Sequence, residues 1–145
     1  MTIDAMAVAR VMGGERALRR RVRTVDDLRL AVEAGLPVAA LERTVRHVAD
    51  DRAEAAALAH LIVPRTTLQR RRGRLSVEES QRLERLARMV ALAEYVWDGA
   101  KEAHEFLTHR QPQLSDERPV DLARSDLGTR QVEELLFRIE YALPV

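Results

Sequence analysis

The sequence predicts an all-α protein, and three observations lead there. Apolar residues make up 46% of the chain and aromatic residues only 3%. The core must therefore be built from Leu, Val, Ile and Ala, and with few Thr, Tyr or Gly such a composition favours helices over sheets. Apolar side chains recur at spacings of three and four, and no alternating stretch of useful length occurs. Residues that start and stop helices fall between these periodic stretches.

Ile3, Met6, Val8 and Val11 fit a short helix to about Met12, followed by Gly13 and Gly14 and then by Arg19, Arg20 and Arg21. Thr24 opens the next helix with Asp27 in its first turn, where the helix dipole favours acids. Leu28, Ala31 and Val32 form its apolar face, and Gly35 ends it. Pro37 introduces a helix carrying Leu41, Val45 and Val48, because its missing N–H is not needed there. Asp50 or Asp51 caps the following helix through Leu58, Ala59 and Ile62, and Val63-Pro64 breaks it. A short helix then spans residues 65–72 and stops at Gly73.

Ser76 and Glu79 form a capping box, in which each side chain accepts from the other residue's backbone amide. The helix they open is the longest and runs to about Trp97. Its residues Leu83, Leu86, Val90, Ala93 and Trp97 step by 3, 4, 3 and 4 into one seam. That seam fits either the inward face of a core helix or, through Leu83, Leu86, Val90 and Trp97, a dimer interface. Gly99 interrupts, and residues 100–108 form another helix with Ala103, Phe106 and Leu107 inward. Residues 111–119 read as an exposed loop and residues 120–123 as a short helical turn. Gly128-Thr129 opens a last helix bearing Val132, Leu135, Leu136, Ile139 and Leu143.

The absence of cysteine excludes disulfides and thiolate metal sites. The apolar runs are too short to span a membrane, and no charged-then-apolar leader opens the chain, so a cytoplasmic protein is expected. Net charge is +1, but it is divided unevenly. Up to Leu75 there are 15 basic and 9 acidic residues; from Ser76 onward there are 9 basic and 14 acidic. A basic first half suits a polyanion, and an acidic second half suits a different partner.

A helix, a tight turn and a short basic helix at residues 51–72 describe a helix-turn-helix. In that reading Thr66, Thr67 and Gln69 reach base edges or phosphates, Arg65, Arg70, Arg71, Arg72 and Arg74 hold phosphates, and Leu68 faces inward. The same arginines also fit a solvated turn. No catalytic or metal centre is expected, and no cofactor. His104 and His109 are five apart without an acidic ligand set, His47 and His60 stand alone, and Ser76 is occupied as a cap.

Seven stretches in order carry a family resemblance. They are Gly35-Leu-Pro-Val-Ala-Ala-Leu41, Pro64-Arg-Thr-Thr-Leu68, Gly73-Arg-Leu-Ser-Val-Glu-Glu-Ser-Gln-Arg-Leu83, Leu86-Ala-Arg88, Ala93-Glu94, Pro119-Val-Asp-Leu122 and Arg138-Ile-Glu-Tyr141. Together they resemble the Xre/MbcA/ParS antitoxins, partners of RES-domain toxins. The resemblance implies an N-terminal extension at residues 1–23, an Xre-like helix-turn-helix domain at 24–74 and a helical toxin-binding domain at 75–145. It implies binding to promoter DNA and to a toxin that degrades NAD or transfers ADP-ribose, whose active site the antitoxin covers. It also implies a homodimer within a hetero-oligomeric complex. Arg138, Glu140, Tyr141, Leu143 and Val145 would then lie at or near the toxin. The chain departs from the family pattern in having no glycine in the turn before Pro64, and in carrying Phe137 and Ala142 where glycines are usual.

Overall fold

The computed structural model describes residues 3–144. The helices are α1 (Ala5–Val11), α2 (Gly14–Leu18), α3 (Val25–Ala34), α4 (Val38–Val48), α5 (Arg52–Ile62), α6 (Arg65–Arg70), α7 (Val77–Trp97), α8 (Ala100–Thr108), α9 (Pro119–Leu122) and α10 (Asp126–Glu140). A 3-10 turn, Pro112–Leu114, precedes α9. The protein is all-α, as the sequence predicts, and no strand occurs among the described residues. Nor is any described helix long and apolar enough to cross a membrane.

The long helix α7 has 21 residues, a span of about 30 Å at the usual rise. It packs against α1, α3, α4, α5, α8 and α10. A helix with so many neighbours needs an apolar face wider than a single stripe. Ala87, Met89, Ala91 and Leu92 accordingly join Leu83, Leu86 and Val90 in the core. Leu83, Leu86 and Val90 are only 0%, 1% and 1% exposed, so they have no surface to offer a second copy. The dimer seam expected at these three residues is instead the chain's own core, because the stripe is part of a broader apolar face that the chain's other helices cover. Trp97, at the open end of α7, is 36% exposed and lies 5.9 Å from the Phe106 ring.

Three local expectations change. The sequence shows no helix after Met12, yet α2 forms directly after Gly13 and buries Ala17 and Leu18. The last helix starts at Asp126, because Ser125 caps it by accepting from the Gly128 amide at 3.0 Å. Gly128 lies inside the first turn, where a Cβ would come within 2.2 Å of the Leu122 carbonyl oxygen. The stretch at 111–119 is also less open than expected. Leu114 is buried, and the Gln111 amide donates to the Glu117 carbonyl at 3.1 Å.

The link between α3 and α4 is stitched to the segment that leaves α6. The Val38 amide donates to Gly73 O, and the Leu75 amide donates to Leu36 O, both at 2.8 Å. The Leu36 amide donates to Ser80 Oγ on α7 at 2.8 Å. This approach requires Gly35, whose φ is +88° and whose Cβ, if present, would lie 2.6 Å from Leu75 O. Gly73 also has a positive φ, of +92°, but faces open space. Gly35→Ala is therefore expected to lower unfolding free energy by roughly 2–3 kcal/mol, against about 1 kcal/mol for Gly73→Ala. Urea unfolding of the two variants checks this; equal losses would show that the close approach carries no weight.

Candidate functional site

The basic surface is built from α5, α6 and the residues that leave α6. Asp51 caps α5 by accepting from the Glu54 amide at 2.8 Å. Leu58, Ala59 and Ile62 are the residues α5 buries, and its main neighbour is α4. Val63 (φ −134°, ψ 121°) and Pro64 (φ −53°, ψ 145°) make the turn with extended backbone. No left-handed residue occurs in it, which is why the turn works without glycine. Arg82 from α7 donates through Nε to Ile62 O at 2.8 Å and so satisfies a carbonyl at the end of α5.

Helix α6 has no fully buried residue, and Leu68 is its inward side chain, packed against the core. Arg65, Thr66, Gln69, Arg70 and Arg72 are exposed, and Thr67 is half-buried. The structure thus brings six of the eight expected DNA-contacting residues onto one accessible helix and its exit. The other two have internal partners. Arg74 donates through Nη1 to Gly35 O at 2.7 Å. Arg71 donates through Nε and Nη2 to the two oxygens of Glu79, both at 2.8 Å. This pair explains why α6 stops at Arg70 instead of Arg72: Arg71 is already extended, with ψ 133°.

Glu79 is only 4% exposed and also accepts from the Ser76 amide at 2.7 Å. Ser76 Oγ accepts from the Glu79 amide at 3.1 Å, completing the capping box that the sequence predicts. The Arg71 guanidinium, aided by the Ser76 amide, holds the Glu79 carboxyl down at about 2, against an ordinary value of 4.5. The sequence shows the capping role of Glu79 but not its ion pair with Arg71, since eight positions separate them.

At the other end of the molecule, α10 closes with a left-handed residue. Ala142 has φ +53°, and the Leu143 amide donates back to Arg138 O at 2.8 Å. Arg138 Nη1 donates to Pro144 O at 3.0 Å. Arg138, Glu140, Tyr141 and Leu143 are all exposed; Val145 lies outside the described residues. The Tyr141 ring stands 4.7 Å from the Phe137 ring. Sequence reasoning missed a stripe along α10 made of Leu127, Arg130, Glu134, Phe137 and Tyr141, all of them exposed. Leu127 is 69% exposed and Tyr141 52%. Its signal was the helical spacing itself, on the side away from Val132 and Leu136.

Charged side chains tie the two ends together. Arg118 reaches Glu54 on α5 at 2.9 Å and holds Asp121 on α9 at 2.9 and 3.0 Å. His104 on α8 lies 2.8 Å from Asp50, beside the start of α5. His47 on α4 meets Glu94 on α7 at 2.8 Å, and that hydrogen bond raises the His47 pKa.

The Glu79 pair makes stability depend on acid. Its folded carboxyl holds a proton less tightly than the unfolded one, so its contribution is complete above about 4.5 and lost as pH falls through about 2. Glu79→Gln is expected to lose roughly 2–3 kcal/mol at neutral pH. Unfolding of both proteins across this range should show the gap closing in acid; a gap independent of pH would mean that the carboxylate charge is not its source.

Residues 27–88 match the family described as Antitoxin Xre-like helix-turn-helix domain. Residues 92–142 match the Antitoxin Xre/MbcA/ParS C-terminal toxin-binding domain. The two matched stretches meet inside α7. A curated relative, Antitoxin Xre of Pseudomonas putida strain KT2440, is 38% identical over 81 residues, covering 54% of this chain and 51% of that protein. The chain thus spans about half the length of that relative. The ordered motifs, the accessible basic helix after a glycine-free turn, and the two adjoining matches lead to one conclusion: the chain belongs to the Xre/MbcA/ParS family of antitoxins.

Proposed function

We propose that the protein binds and neutralises a RES-domain toxin, one that consumes NAD or transfers ADP-ribose from it, and represses its own promoter. The observation that carries this reading is the presence of two separate accessible surfaces on one spine. The accessible helix α6 lies on the basic half, and an aromatic stripe on α10 lies on the acidic half.

On the DNA side, Thr66, Thr67 and Gln69 supply short hydroxyl and amide groups for base edges. Arg65, Arg70 and Arg72 supply phosphate contacts. Arg71 and Arg74 set the angle at which α6 is presented, through Glu79 and Gly35. Two copies on a pseudo-palindromic operator would set their α6 helices about one duplex turn, ~34 Å, apart. With the core of α7 sealed, the aromatic surface open to a second copy lies at Tyr95 and Trp97.

On the toxin side, Phe137, Tyr141 and Leu143 offer apolar anchors, and aromatics supply a large share of interface energy. Arg138 and Glu140 flank them as polar contacts. The protein acts by covering the active site of the toxin and performs no chemistry of its own.

Tagged protein purified from its native host should bring down a small RES-type protein in near-equal amount. Recovery of promoter DNA with no protein partner would leave a stand-alone repressor. Replacing Arg65, Arg70 and Arg72 by Glu should derepress the promoter and leave neutralisation intact. The salt slope of DNA binding should fall by up to about three, one unit per lost phosphate contact. A triple variant that still represses would remove α6 from DNA recognition. Deleting residues 138–145 should abolish protection against the toxin while the helical fold persists. Protection by that folded, truncated chain would place the inhibitory surface elsewhere.

A further inference from the structure

We propose that residues 16–23 form a second nucleic-acid contact, a rigid basic shelf that grips the phosphate backbone flanking the site engaged by α6. The inference rests on the reading of α6 as a DNA-binding helix.

Five arginines, Arg16, Arg19, Arg20, Arg21 and Arg23, fall within these eight positions, and all five are exposed. Among the described residues none of their guanidinium groups has a hydrogen-bond or ion-pair partner. That is not general in this chain: Arg29, Arg71, Arg88, Arg118 and Arg124 each hold a carboxylate. Of the acids nearest in sequence, Glu15 is exposed beside Arg16, and Asp27 has its pKa lowered by the Arg23 amide and, to a smaller degree, by the charge of Arg20. Asp26 and Glu33 bind Arg29. One oxygen of Asp27 accepts from the Arg23 and Thr24 amides at 3.0 and 3.2 Å.

The backbone that displays these charges is fixed. Leu18 and Val22 are buried on either side of Arg19, Arg20 and Arg21. Arg19 makes a left-handed turn at φ +57° that ends α2. A rigid mount reduces the ordering cost of each phosphate contact. The shelf continues onto the helix before the helix-turn-helix. Helix α2 packs on α4, and a Cβ on Gly13 would lie 3.0 Å from Arg43 Cγ. Arg43 and Arg46 on α4 are also exposed and, among the described residues, unpaired.

The spacing suits a duplex. Helix α3 has 10 residues, so the shelf at its start lies about 15 Å along its axis from Gly35. Gly35 in turn abuts Arg74 and Leu75 at the exit of α6. Half a turn of B-DNA is ~17 Å, so a backbone strand beside the groove that α6 enters comes within reach. Residues 16–23 contain no Asn, Gln, Ser or Thr to read bases, so the contact adds affinity and salt dependence without sequence preference. The segment precedes both matched family stretches, the first of which begins at residue 27.

The test is the full-length triple variant Arg16→Gln/Arg20→Gln/Arg21→Gln, titrated against a promoter duplex and an unrelated duplex of equal length over a range of salt. The expected result is a loss of roughly tenfold or more at moderate salt for both duplexes, with a slope shallower by about two to three. The triple lysine variant should bind as wild type, and thermal unfolding should be unchanged in all three proteins. Unaltered affinity and slope overturn the shelf and leave the α6 reading standing. A wild-type chain with no affinity for any duplex overturns both. A variant that binds DNA normally but no longer retains its protein partner assigns the shelf to that partner and also overturns the proposal.

Discussion

The ion pair between Arg71 and Glu79 is the contact on which the rest of the molecule depends. One buried carboxylate receives two guanidinium N–H groups and the Ser76 amide. A buried charge is tolerable only when its lone pairs are filled in this way. The same carboxylate starts α7 and stops α6, so it fixes where one helix ends and the next begins. The stitching of Leu36 to Ser80 and Leu75 lies one turn away. The position of the basic helix therefore follows from the cap of the core helix and owes little to the contacts of α6, which buries nothing completely.

Helix α7 is shared property. The N-terminal helices lean on it through α1, α3, α4 and α5, and the C-terminal helices lean on it through α8 and α10. Arg118 and His104 add ties directly from the C-terminal elements to the entrance of α5. One hydrophobic cluster runs from Ala5 to Leu136 without a break at the middle of the chain. The two surfaces are distinct in chemistry but sit on one body.

Much of this was legible in the residues. Capping chemistry located α3, α5 and α7, because Thr24, Asp51 and Ser76 each bind an amide three residues on. Periodicity located the apolar faces. The missed features share a physical origin in contacts between residues far apart in sequence. Nothing local tells that the Leu83 to Val90 seam is covered by the chain's other helices and so cannot face a second copy. Nothing local tells that Arg71 turns inward while Arg70 and Arg72 turn out. The glycines misled in two places: Gly14 begins a helix, and Gly128 lies inside one because another segment's carbonyl crosses close by. The missing glycine before Pro64 reflects a turn made of extended residues, a geometry visible only in the backbone angles.

The shared core of α7 has a consequence for turnover in the cell. A protein whose two activities sat on separately folded modules could be trimmed by a protease to a surviving repressor or a surviving inhibitor. Here a cut or a melted turn within residues 77–97 would strip the apolar backing from both ends at once. On the proposed reading, destruction of one molecule would free its promoter and release its toxin in the same event. The level of intact chain would then be a single quantity to which both transcription and toxicity respond.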